Sequence, residues 1–244
     1  MRWKLTIEYH GAGFCGWQRQ AHDMSVQQAL EEAVQKFSGE VVTLHTAGRT
    51  DAGVHALAQV AHFDLEKETN ADTVRDALNF HVRPHKITVL NAEAVTEEFH
   101  ARFKALNRSY RYQILNRRTP SALLSDLSWH VAKPLALEPM REAADLLIGK
   151  HDFSTFRAQH CQSNSPLKTL DILALRREDD MIIVETRARS FLYHQVRNMV
   201  GTLSLVGGGQ WTVTDFKNAF EAKDRTKGGP TAPPHGLFFS GVSY

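Results

Sequence analysis

The sequence predicts an α+β protein of two similar halves, each a split β-α-β arrangement with an antiparallel sheet. Three observations carry the prediction. Arg2 to His10 alternates apolar and polar residues, as a half-buried strand does. Apolar residues at helical spacing then fall between strand-like runs in the order strand, helix, two strands, helix, strand. From Arg141 onward a helix, two strands, a helix and a strand return, so the second half loosely repeats the first. The halves are expected at 1–105 and 106–244. Two such sheets joined side by side would leave a central cleft, a channel suited to a long polyanion.

In the first strand Trp3, Leu5, Ile7 and Tyr9 point one way and Lys4, Thr6, Glu8 and His10 the other. Gly11 to Gln20 holds three glycines, Phe14, Trp17 and Arg19. It suits a plain connection or a loop touching a phosphate or base, and it lacks the Gly-Lys-Ser/Thr ending of a P-loop. Ser25 to Gln28 reads as a capping box. Leu30, Ala33, Val34 and Phe37 follow at helical spacing, and Gly39 closes the helix. Val41, Val42 and Leu44 mark one strand, and Leu57 to Leu65 the next. A second helix is expected from about Asp72 to Val82, stopping before Pro84, with a strand from Ile87. This order is the ferredoxin-like pattern.

In the second half Asn107 to Leu115 is a strand with Tyr110, Tyr112 and Ile114 on one face and Arg111 and Gln113 on the other. Thr119 to Pro139 holds three prolines and reads as a connection, with Trp129 and His130 in a short strand. Arg141 to Ile148 is helical, and His151 to Phe156 is a tight aromatic turn. Leu170–Arg176 and Met181–Arg189 form a hairpin about Glu178-Asp179-Asp180. Ser190 opens a helix that carries Tyr193, Val196, Val200 and Leu203 and ends at Gly207-Gly208-Gly209. Thr214 caps a short helix through Ala222, and Thr231 to Phe239 leads into the last strand.

Between the second and third strands Gly48 and Gly53 bracket Arg49 and Asp51. Glycine permits the turns such a loop needs. A carboxylate beside a guanidinium stays ionised and can act as nucleophile or base, although Asp and Gly are also ordinary turn residues. His55 and His62 crowd the same loop and strand. Tyr110, with Arg108 and Arg111 nearby, suits the core or the stacking of a base. Arg197, flanked mostly by apolar residues, requires an acidic partner or a path to solvent.

Composition narrows the class. Hydrophobic residues are 42% and charged residues 23% of the 244, as in globular proteins. No run approaches the length of a membrane span, and the N-terminus lacks the apolar core of a leader, so a cytoplasmic home is expected. The two cysteines lie far apart, and the thirteen histidines follow no ligand spacing; no metal is expected. Net charge is only +2, but Arg102, Arg108, Arg111, Arg117 and Arg118 are densely placed, and Arg187, Arg189 and Arg197 form a second group. A local stripe matters more for a nucleic-acid partner than the total charge.

Gly48-Arg49-Thr50-Asp51-Ala52-Gly53-Val54-His55-Ala56 resembles the signature of the tRNA pseudouridine synthase A family. Phe14 to Gln20, Phe99 to Arg102, Tyr110 to Tyr112, Phe191 to Gly201 and Ala232 to Leu237 resemble the family in the same order, from one end of the chain to the other. The resemblance implies the pseudouridine synthase fold and isomerisation of uridine in the anticodon stem-loop of tRNA, at tRNA positions 38, 39 and 40. It implies Asp51 as the attacking aspartate, Tyr110 stacked on the flipped base, Arg197 paired with the carboxylate, Arg49 entering the vacated space and Leu237 walling the uracil pocket. It implies a homodimer, no membrane and no cofactor, since the reaction involves no oxidation and no energy source. Two other readings compete. A non-catalytic RNA-binding protein of two ferredoxin-like domains leaves the Arg49/Asp51 loop without a task. A sugar hydrolase would need a second acid, which the sequence does not offer.

Overall fold

The computed structural model describes residues 1–244. They form two compact units, Met1–Arg108 with Phe238–Tyr244, and Ser109–Leu237. The architecture is α+β, and no helix is long and apolar enough to cross a membrane.

The first unit contains β1 (Arg2–Tyr9), α1 (Val26–Ser38), β2 (His45–Thr46), β3 (His55–Asp64), α2 (Ala71–His81), β4 (Ile87–Val95) and most of β10 (Leu237–Ser243). Its strands lie in the order β4-β1-β3-β10, with β2 also on β3. β1 runs antiparallel to both neighbours, placing Leu5 opposite Ala61 and Ala92. Trp3, Leu5, Ile7 and Tyr9 are buried, as the alternation predicts. β10 pairs parallel to β3, with Phe238 beside His55 and Phe239 beside Ala56. α1 starts on Ser25, whose side chain accepts from the Gln28 N–H, and ends on Gly39 in the left-handed region. The Gln28 amide reaches Glu32 instead of back to Ser25, so only half of the expected box forms. Val41, Val42 and Leu44 make no strand. The Leu44 N–H donates to Glu31 of α1, which takes the place of a neighbouring strand.

The second unit contains the rest of β5 (Asn107–Leu115), then β6 (Trp129–His130), α3 (Leu137–Asp145), β7 (Gly149–Asp152), β8 (Leu167–Glu178), β9 (Met181–Ala188), α4 (Gln195–Gly207) and α5 (Val213–Glu221). Its strand order is β5-β9-β8-β7, with β6 parallel to β5. Several boundaries differ from expectation. α3 starts at Leu137, because Pro139 lies in the first turn, where a missing N–H breaks no helical bond. Gly149–Asp152 is a strand against Leu167–Leu170, too short and too polar to alternate. α5 is capped by Thr212 in a full capping box with Asp215, two residues before Thr214.

Candidate active site

The Asp51 loop is built into the first unit from three sides. β2 pairs with β3 through His45–His62 and Thr46–Ala61, and the Ala47 N–H adds a bond to Val60 O at 2.8 Å. Gln59, fully buried on β3, donates to Gly48 O at 2.7 Å. Arg108 donates through Nε and Nη2 to Ala47 O at 3.1 and 2.9 Å. Within the loop the Val54 N–H closes a turn on Asp51 O at 3.1 Å, and Gly53 sits at φ 77°.

The glycine-rich segment after β1 forms the back of this loop. The Trp17 N–H donates to Thr50 O at 3.1 Å, and the Tyr9 hydroxyl and Thr50 Oγ1 lie 2.7 Å apart. A Cβ on Gly11 would fall 2.1 Å from Val54 O, and one on Gly16 2.6 Å from Thr50 O. The Gly11 N–H also donates to His55 Nδ1 at 2.9 Å. Burial pushes the Tyr9 phenol up to about 12, so it stays a neutral hydrogen-bonding group. Arg19, which the sequence leaves open as a phosphate contact, bonds Glu31 at 3.1 Å. On this backing Asp51 is half-buried and Arg49 exposed.

His55 and His62 serve packing. His55 is buried and stacked on Phe238 at 4.7 Å. His62 is buried among His45 and His100, with ring centroids 5.0 and 4.6 Å away. Burial first, then the charges of His100, His45 and Arg2, hold its imidazole down to about 4, with Asp64 pulling the other way. No group of three or more His, Cys, Asp or Glu side chains is arranged to hold a metal ion.

The other three predicted residues, Tyr110, Arg197 and Leu237, belong to the second unit. Tyr110 on β5 is half-buried and meets Phe191 edge-on at 5.2 Å. Arg197 lies in the first turn of α4. This helix starts at Gln195, later than expected, because His194 takes the left-handed region at φ 60°. Arg197 and Ala232 bond reciprocally: Arg197 Nε donates to Ala232 O at 2.8 Å, and the Ala232 N–H to Arg197 O at 3.1 Å. The Tyr112 hydroxyl donates to Pro233 O at 2.8 Å. A Cβ on Gly236 would fall 2.7 Å from the Tyr112 ring. Arg197, Tyr112 and Gly236 thus fix the segment that delivers Leu237, which is buried. Burial pushes the Tyr112 phenol far up, with Arg197 pulling back.

The sequence presents Tyr112, Gly11, Gly16 and Asn198 only inside longer stretches and gives none of them a role of its own. Asn198, fully buried on α4, accepts from Thr231 at 2.6 Å and Arg225 at 3.2 Å and donates to Phe156 O at 2.9 Å. A buried amide one residue from a predicted functional arginine is the one signal that marks it. A cavity of about 580 Å³ lies beside α5, lined by residues such as Gln210, Trp211, Asp215 and Lys227, and includes none of the predicted site residues.

A family model described as tRNA pseudouridine synthase matches residues 5–104 and 143–244, and this chain belongs to that family. Tyr110 lies between the two matched stretches. Among particular relatives, the tRNA pseudouridine synthase A of Rhodospirillum centenum is 56% identical over 243 residues, covering 100% of this chain and 99% of that protein. The protein of the same name from Paramagnetospirillum magneticum is 57% identical, covering 100% and 95%. The one from Rhodospirillum rubrum is 54% identical, covering 100% and 88%.

Proposed function

We propose that this chain converts uridine to pseudouridine in the anticodon stem-loop of tRNA, at tRNA positions 38, 39 and 40, with Asp51 as nucleophile toward a flipped-out base. The observation that supports this best is the identity of 54–57%, over the whole chain, to proteins named tRNA pseudouridine synthase A. The reaction breaks the C1′–N1 bond and joins C1′ to C5 of the same base. The C5 proton leaves and N1 gains a proton, so the product is an isomer and no electrons are exchanged. Asp51 attacks C6 of the base or C1′ of the ribose, and both routes lead to the same product.

The roles are those the family resemblance implies, and physical need makes them sensible. Flipping costs a few kcal/mol, less in a loop than in a stem. Arg49, exposed beside Asp51, fills the space the base leaves. Tyr110 stacks on the base and assists removal of the C5 proton, and Leu237 forms an apolar wall. Arg197 supplies the guanidinium that keeps the attacking carboxylate ionised in a dry pocket. The enzyme acts as a cytoplasmic homodimer, one tRNA lying across both copies.

Tritium release from tRNA labelled at C5 of uridine tests the proposal. Asp51→Asn is expected to abolish release while tRNA still binds. A fully active Asp51→Ala overturns it.

A further inference from the structure

The loop Ala101–Leu106 in the first unit gives two large apolar side chains to solvent. Phe103 is 75% and Leu106 63% exposed. Arg102, Lys104 and His45 are exposed as well. The Arg102 guanidinium lies 5.8 Å from the centroid of the Phe103 ring, and the His100 ring backs Phe103 at 4.3 Å. Between Glu98 and Asp126 the sequence contains no acidic residue, while Arg102, Lys104 and Arg108 fall in its first half.

The backbone under these side chains is fixed at each step. The Ala101 N–H donates to His62 Nδ1 at 3.2 Å, and the Tyr244 hydroxyl to Ala101 O at 2.9 Å. The Lys104 N–H donates to His100 O at 3.0 Å and the Leu106 N–H to Ser243 O at 2.8 Å. Arg108 donates to Arg102 O at 2.7 Å from the same guanidinium that holds Ala47 O, at the root of the Asp51 loop. A ring presented on so well-bonded a loop loses little freedom when it is covered, which favours binding.

We propose that Ala101–Leu106 is an RNA-docking surface, with Phe103 receiving the face of an unstacked base and Arg102 and Lys104 the neighbouring phosphates. It rests on the reading of this chain as a tRNA-modifying enzyme and adds a contact that the catalytic roles above do not use. Charge selects the occupant. A second copy meeting this loop with its own, on a two-fold axis, would bring the same cations together, whereas RNA brings phosphates. An aromatic face among cations is the usual platform for single-stranded nucleic acid.

The test is affinity of the full chain for a tRNA transcript across a salt series, with sedimentation and melting recorded for each variant. Phe103→Ala is expected to weaken binding about tenfold, the loss of one stacked base. The double variant Arg102→Gln/Lys104→Gln is expected to lower the slope of log K against log salt by about 1–2. Phe80→Ala, which removes another exposed aromatic, on α2, is expected to change neither. Unchanged affinity and slope in folded Phe103→Ala and Arg102→Gln/Lys104→Gln overturn the proposal. So does a Phe103→Ala protein that loses self-association but keeps its tRNA affinity. Binding is read without catalysis, so an unmutated chain that binds tRNA through Phe103 but makes no pseudouridine refutes the proposed function and leaves this inference standing.

Discussion

At the scale of single residues, the candidate site depends on side chains that are absent as much as on those present. Gly16 sits at φ 108° with Thr50 O where a Cβ would go, and backbone cannot yield as a flexible side chain can. Gly16→Ala is expected to cost about 1–3 kcal/mol and to reduce tritium release more than tenfold below its melting temperature, because Thr50 adjoins Asp51. Melting curves and release assays on the same sample check this; a stable variant with full activity contradicts it. The spacing of Gly48, Arg49, Asp51 and Gly53 is legible in the sequence because those residues are neighbours. The Tyr9–Thr50 bond and the support from Gly11 and Gly16 are not, since they join segments some forty residues apart.

At the scale of elements, polar caps and clasps decide where the chain turns. Ser25→Ala is expected to cost about 1 kcal/mol in urea unfolding, as it removes the bond to the Gln28 N–H. Asn198 is a larger case, tying α4 to Thr231, Arg225 and Phe156 O. Asn198→Ala is expected to cost about 1–3 kcal/mol, since it strands the carbonyl of buried Phe156 and takes a partner from Thr231 and Arg225; a unit that melts unchanged would contradict this. Elements with strong periodicity, such as β1 and α1, are legible in the sequence. β7 and the start of α3 are not, because a glycine and three polar residues carry no period and a proline reads as a breaker unless its place in the first turn is known. The Leu44 segment fails for another reason: its backbone partner is a glutamate side chain, which no strand pattern encodes.

At the scale of the whole molecule, the buried histidine makes stability depend on pH. The folded chain holds His62 near 4, below the ordinary 6.5 of an exposed imidazole. The unfolded chain therefore takes up a proton first as pH falls. The stability tied to His62 is complete above about 6.5 and is lost between there and about 4, a loss on the order of 3 kcal/mol. His45, His100, Arg2 and Asp64 face it, and Asp64, itself held below its usual range by Arg2, adds a loss only at lower pH. Urea midpoints at pH 7 and 5 should differ for the unmutated chain and differ less for His62→Gln, in which His100, also held below its usual range by burial, keeps part of the dependence. A flat profile in the unmutated chain would contradict the assignment.

The parallel seam between Phe238–Phe239 and His55–Ala56 has a consequence in time. A growing polypeptide emerges in order, and the ring that stacks on His55 is made about 180 residues later, a separation that slows folding. The strand rooting the Asp51 loop therefore waits, one side open, until nearly all of these residues have left the ribosome. Products of early termination would carry the whole signature motif yet lack the edge that completes it, so the Asp51 loop matures late although it is written early.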